Sequence, residues 1–233
     1  TEGQLESITD SNGNGITAVY SDGQLLRLTH SSGASIDFSY NAAGRIERLT
    51  ASLGRIVRYS YDEAQEHLLT FEDSGGRITR YAYIDEPGSP RNHAVAVITF
   101  PGDTHQYYDY DAVGRLASSY RDGETKRRDY AYDSTGTVAL TTACGGSTRL
   151  FHDHRGAVAR TDYSTGNTLW RTYDDLHRVT RLMDADGNTH SFTYAAPDTL
   201  ATQTDPAGRT GGFTYGGSPR RMTSHTDPRG HVT

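Results

Sequence analysis

Few residues of this chain stand in the patterns that chemistry requires. His152-x-His154 would put two imidazoles on one face of an extended strand, as a metal pair needs. No third or fourth ligand can be picked out from the sequence, and His152 fills a position that is aromatic elsewhere in the chain. Asp10-x-Asn12-x-Asn14-Gly15 fits the first half of a calcium loop, but Ser21 occupies the twelfth position, where a bidentate glutamate is needed. Asp184-x-Asp186-Gly187-Asn188 stops sooner, and both stretches read as turns whose side chains cap backbone. Cys144 is the single cysteine, so no disulfide forms within the chain; it lies beside Gly145-Gly146 with no assigned base and reads as an inert thiol. There is no Gly-x-Ser-x-Gly elbow, phosphate loop or dinucleotide fingerprint. Carboxylates such as Asp109 and Asp111 recur at turn after turn, which points to capping, whereas a glycosidase needs one isolated pair across a cleft. The reading is therefore no catalytic residue, no cofactor, no metal site and no enzyme.

The elements that hold these residues are short and repeated. Glycine recurs about every ten residues, at Gly13, Gly23, Gly33, Gly44, Gly54 and Gly75 and again from Gly114 to Gly230. That beat fits one strand and one tight turn, and self-similarity of this kind decides the architecture. Two turn types alternate. One follows an aromatic residue, as in Tyr40-Asn-Ala-Ala-Gly44, Tyr110-Asp-Ala-Val-Gly114 and Tyr132-Asp-Ser-Thr-Gly136, with looser copies after Tyr61, His152 and Tyr173. The other follows an acidic or small residue, as in Asp184-Ala-Asp-Gly187, Asp205-Pro-Ala-Gly208 and Asp227-Pro-Arg-Gly230. Asp or Asn can bond backbone two residues on, Pro pre-sets φ, and Gly supplies positive φ. Runs such as Arg55 to Tyr61 and Arg77 to Tyr83, rich in Tyr, Ile, Val and Thr, read as strands. Aromatic pairs at i and i+2, among them Phe38/Tyr40, Tyr59/Tyr61, Tyr81/Tyr83 and Phe213/Tyr215, share a strand face. Tyr40, Tyr61, Tyr83, Tyr110, Tyr132, Tyr173, Tyr194 and Tyr215 are thus expected to form a structural aromatic ladder, and Gly44, Gly54, Gly114, Gly136, Gly187, Gly208 and Gly230 to close the turns. Each cross-strand contact of this kind contributes roughly 0.2–1 kcal/mol.

Composition agrees with a sheet that has no deep aliphatic core. Hydrophobic residues make up 34% of the 233, mean hydropathy is -0.70, and 16 Tyr and 6 Phe carry much of the apolar area. A net charge of -6 with interspersed signs argues against nucleic acid. The basic clusters Lys126-Arg127-Arg128 and Arg220-Arg221 read as solvated faces or cross-strand partners of acids. No stretch is apolar enough for a membrane helix, and no signal-peptide leader is visible. The chain opens on Thr1 in mid-pattern and stops at Thr233, so it reads as one repeat array, 1–233, cut from a longer protein whose targeting signals lie elsewhere. The Pro- and Gly-containing stretch 85–93 reads as a loop inserted between repeats.

The Tyr-Asp-x-x-Gly-Arg-Leu copy from Tyr110 to Leu116 resembles the signature of the YD-repeat, or Rhs (rearrangement hotspot), family. Tyr40 to Ile46, Tyr132 to Val138 and Tyr173 to Val179 are close variants, and the units at Asp205 and Asp227 resemble the family's second turn. The resemblance implies an all-β fold, a long antiparallel meander of hairpins forming a curled strip of a β-shell. In bacterial polymorphic toxins, type VI secretion effectors and Tc toxin C components such a shell encloses a C-terminal toxin, and in teneurins related repeats sit at the cell surface. The implied function is a structural shell segment of a secreted or translocated effector. Its partners would be flanking repeats and an intramolecular toxin cargo, with no membrane insertion by this segment. The alternative is a cell-surface adhesin whose Tyr side chains and Trp170 meet glycans, or a surface that engages secretion machinery.

Overall fold

The computed structural model describes residues 3–195, 198–217 and 221–233; Arg220, half of one basic pair, lies outside them. The chain divides into two compact units, Thr1–Thr125 and Lys126–Thr233. Apart from one 3-10 turn at Asp122–Glu124, every regular element among the described residues is a β-strand.

The first unit runs through β1 (Ser7–Thr9), β2 (Gly15–Ser21), β3 (Gln24–His30), β4 (Ser35–Tyr40), β5 (Ile46–Ala51) and β6 (Ile56–Tyr61). It continues with β7 (Leu68–Glu72), β8 (Ile78–Tyr83), β9 (Val95–Phe100), β10 (Thr104–Tyr110) and β11 (Leu116–Arg121). The second unit holds β12 (Thr125–Tyr132), β13 (Val138–Thr142), β14 (Ser147–His152), β15 (Val158–Tyr163) and β16 (Thr168–Tyr173). It ends with β17 (Val179–Asp184), β18 (Thr189–Ala195), β19 (Thr199–Thr204), β20 (Thr210–Gly216) and β21 (Arg221–Thr226). Within each unit every strand pairs antiparallel with the next in the chain, so the fold is an all-β meander, as the sequence predicts.

The two turn types form different hairpins. Across second-type turns the ladders hold three or four residue pairs in unbroken register, as in Thr50↔Ile56 to Arg48↔Arg58. Across first-type turns, that after Tyr132 aside, they carry a bulge, and the bulge falls at the aromatic slot. The slot is Tyr20, Tyr40, Tyr61, Tyr83, Tyr110, His152, Tyr173, Tyr194 or Tyr215. Tyr132 differs, since it pairs with Val138 in unbroken register. A bulge inserts one extra residue into one strand and sharpens the local twist.

The turn loops themselves are alike. Residue i+3 is left-handed, as at Gly44 (φ 76) and Gly208 (φ 78). The glycine mark at position 75 needs correcting, because the left-handed residue of that turn is Gly76. Gln65 (φ 59) and His177 (φ 60) hold the same conformation without being glycine.

No hydrophobic side chain is fully buried among the described residues; those that are buried are Ser118, Ser119 and Thr161. Many apolar side chains are partly covered, while others, Leu53, Val113 and Leu176 among them, are exposed. No helix among the described residues is long and apolar enough to cross a membrane.

The stretch 85–93 is an ordered loop closed at its base by the Ile84 N–H donating to Ala94 O and the His93 N–H to Ile84 O. Inside it, Asn92 Oδ1 accepts from the Glu86 N–H, and Arg91 pairs with Glu86. Pro90 rests against the turn at Gly114, where an added Cβ would lie 2.5 Å from the Pro90 carbonyl oxygen.

Candidate functional site

The recurring feature is a joint built at each bulge from one tyrosine and one aspartate. The ladder between β5 and β6 ends at Arg48↔Arg58, and the Ile46 carbonyl lies two residues beyond it. The Tyr61 hydroxyl donates to that carbonyl at 2.9 Å. Tyr40 does the same to Leu25 O, Tyr83 to Leu68 O and Tyr110 to Val95 O, at 2.8, 3.0 and 2.9 Å. In the second unit Tyr173 donates to Val158 O and Tyr194 to Val179 O, at 2.9 and 2.7 Å. Each hydroxyl spans 15 residues of chain and satisfies an acceptor the ladder has left behind. Burial pushes the Tyr61, Tyr83 and Tyr110 phenols above their ordinary pKa.

Of the other predicted ladder positions, Tyr132 stands opposite Val138 and Tyr215 opposite Met222. Among the described residues the Tyr215 hydroxyl has no hydrogen-bond partner. The joint also includes Tyr20, which donates to Leu5 O at 3.2 Å and was not singled out by the repeat pattern. His152 substitutes its ring, with Nδ1 3.2 Å from Gly136 O. Ring contacts pair Tyr59 with Phe71 and Tyr107 with Tyr120. Trp170 is half-buried and lies near the Arg160 guanidinium, 5.8 Å from its ring centroid.

The acid that opens the turn closes it. Asp111 Oδ1 accepts the amides of Val113 and Arg115, and Oδ2 accepts from Arg115 Nε at 2.8 Å. The same pair of amide bonds, from i+2 and i+4, recurs at Asp10, Asp73, Asp133, Asp153, Asp174, Asp184, Asp205 and Asp227. Asn41 does this uncharged. Bonds from residue i+4 are the chief reason the carboxyls of Asp73, Asp111, Asp174, Asp184, Asp205 and Asp227 sit below their ordinary pKa. Asp10 and Asp184, each in half a calcium motif, have their oxygens engaged by Asn14 and Asn188 in this way.

Residues 20–56 match the RHS Repeat family model. That segment of the first unit is similar to an Rhs repeat. No curated protein sequence matches it. Solved structures do match its fold. The Tc holotoxin pore of Photorhabdus luminescens superposes with a TM-score of 0.59 at 13% identity, over 99% of this chain and 16% of that one. The TcdB2–TccC3 complex with Cdc42 gives 0.58 at 13% identity, over 97% of this chain and 16% of that one. TcdB2–TccC3 alone gives 0.57 at 13% identity, over 99% and 16%. The chain therefore spans about a sixth of the length of the solved chains it matches, and at that identity the shared property is the fold.

Proposed function

We propose that this stretch is a structural wall segment of an Rhs shell, one that encloses a toxin cargo belonging to the same parent chain and isolates it until delivery. The observation that carries the reading is the joint itself. The chain invests its tyrosines and aspartates in holding strand to strand, and no hydrophobic side chain is buried among the described residues. A sheet with uncovered apolar surface calls for further repeats or contents to face it. The shared fold with Tc toxin components supports the same assignment, and the parent would act as a secreted or translocated protein. The segment contributes containment, and chemistry would belong to the cargo.

Limited proteolysis of the parent protein tests this. A region outside the repeats that resists protease in the intact protein, and is digested once the repeats are unfolded, is the expected result. A region cut at the same rate in both states overturns the proposal. Saturable binding to a glycan array, with no such protection, would favour the adhesin.

A further inference from the structure

At the base of the inserted loop, three side chains converge that the repeat joint does not use. The ligand atoms of Glu66, His67 and His93 lie within 4.8 Å of one another. His67 comes from the Tyr61 turn, and His93 from the last residues of the loop, 26 positions on. His67 is half-buried, its ring tilted against Tyr83 at 4.5 Å between centroids, while Glu66 and His93 are open to solvent. His93 reaches His67 from a left-handed backbone (φ 67), a conformation uncommon outside glycine.

The hydrogen bonds define the protons. Asn92 Oδ1 is committed to the Glu86 N–H, so its amide nitrogen faces His93 Nε2, at 2.8 Å, as donor. His93 Nδ1 then carries the ring proton and donates to His67 Nε2 at 2.7 Å, and His67 Nδ1–H donates to Asp62 Oδ2 at 2.6 Å. His67 thus presents an unprotonated Nε2 to His93, with a carboxylate behind the other ring nitrogen. Metal-binding imidazoles are usually held by that kind of partner.

We propose that Glu66, His67 and His93 form a zinc site that ties the inserted loop to the Tyr61 turn. Two imidazole nitrogens and one carboxylate oxygen suit Zn²⁺, leaving a fourth position for water. On binding, the metal takes the place of the His93 Nδ1 proton, which moves to Nε2 of the same ring, so no proton is lost overall. The two ligating nitrogens open to about 3.3 Å, as tetrahedral bonds of roughly 2.0–2.1 Å require. The Asn92 amide, a donor facing what is now a donor, must turn away. Asn92→Asp removes that conflict, since a carboxylate can accept from both the Glu86 N–H and the His93 Nε2–H.

The test uses tag-free protein stripped with chelator and titrated with Zn²⁺ by calorimetry, with Co²⁺ absorption reporting coordination geometry. The expected result is one saturable site per chain, tetrahedral visible bands with Co²⁺, and a rise in Tm on zinc addition. His93→Ala, on the loop, should weaken binding at least tenfold with unchanged circular dichroism, and Glu66→Gln should weaken it by less. Asn92→Asp should tighten it several-fold. Binding unchanged in His93→Ala, or equal in wild type and the His67→Ala/His93→Ala double variant, overturns the site. So does Asn92→Asp binding no tighter than wild type. None of these outcomes bears on the shell, because the protease test does not involve this loop.

Discussion

Removing a single oxygen from Tyr110 isolates the joint from everything else the ring does. Tyr110→Phe keeps the ring, the bulge position and the pairing with Leu116, and deletes only the 2.9 Å bond to Val95 O. A net hydrogen bond contributes roughly 0.5–1.5 kcal/mol, and the half-buried Val95 carbonyl lies beyond the β9–β10 ladder, which ends at Val97↔Tyr107, so no neighbouring amide of that ladder replaces the donor. The expected loss is about 1 kcal/mol, or roughly fivefold in the local opening equilibrium. Arrays of repeats need not unfold in one step, so amide hydrogen exchange of β9 to β11 is a better probe than a global melt. Protection there should fall about fivefold, with the second unit unaffected. Tyr215→Phe serves as the control, because its hydroxyl has no partner among the described residues and its removal should change nothing. A double Tyr110→Phe/Tyr173→Phe variant, with its changes in separate units, should show the two losses independently. If Tyr110→Phe cannot be told from Tyr215→Phe, the joint is a packing feature and the hydroxyl argument is wrong.

The turn glycines are not equivalent. Gly136→Ala faces open space and incurs only the left-handed backbone, about 1–2 kcal/mol, whereas at Gly114 the same change also drives a methyl into Pro90; chemical denaturation should rank Gly114→Ala clearly lower. His177 stands left-handed with no side-chain hydrogen bond among the described residues, so His177→Gly should leave the Tm unchanged or raise it, and a lower Tm would show that the ring carries a contact of its own. The turn carboxyls, Asp111 and Asp205 among them, are more acidic folded than unfolded, so the unfolded chain takes up more protons as acid is added. Their stabilisation is complete above the ordinary aspartate value of 3.8 and is lost as pH falls through the lowered folded values. Circular dichroism should therefore stay flat from neutral pH to about 5 and decline below 4; a decline centred near pH 6 would assign the sensitivity to other groups.

Strands and turns were legible because each is encoded within a few residues, by alternation, by Asp at the turn entrance and by Gly three residues on. What depends on pairing was not legible. The bulge at Ser39/Tyr40 exists only once β5 is laid beside β4, and the acceptor of Tyr40 lies 15 residues back on a third strand. Tyr20 escaped notice because Ser21, and not an acid, follows it, and its turn is shorter, with Asp22 and Gly23 both left-handed. Gly75 and Gly76 carry the same local signal in the sequence, and only the backbone decides between them. His67 and His93 fit no motif, since the loop that unites them has no counterpart in the other repeats.

That loop shows why the repeat tolerates change. Between Tyr83 and Val95 the chain gains an excursion, yet the Ala82/Tyr83 bulge persists and Tyr83 still pairs with Val95. The reason is that Tyr83 bonds backward, to Leu68 O on the strand already laid down, so the joint is complete before the loop begins. Whatever follows needs only to return one strand to register, and the Ile84–Ala94 bonds accomplish this at the loop's base. Insertions placed directly after the bulge tyrosine should therefore be accommodated, while those between the tyrosine and its acceptor should break the joint. The same logic frees the inserted segment to acquire side chains such as His93 that serve a purpose other than holding the sheet.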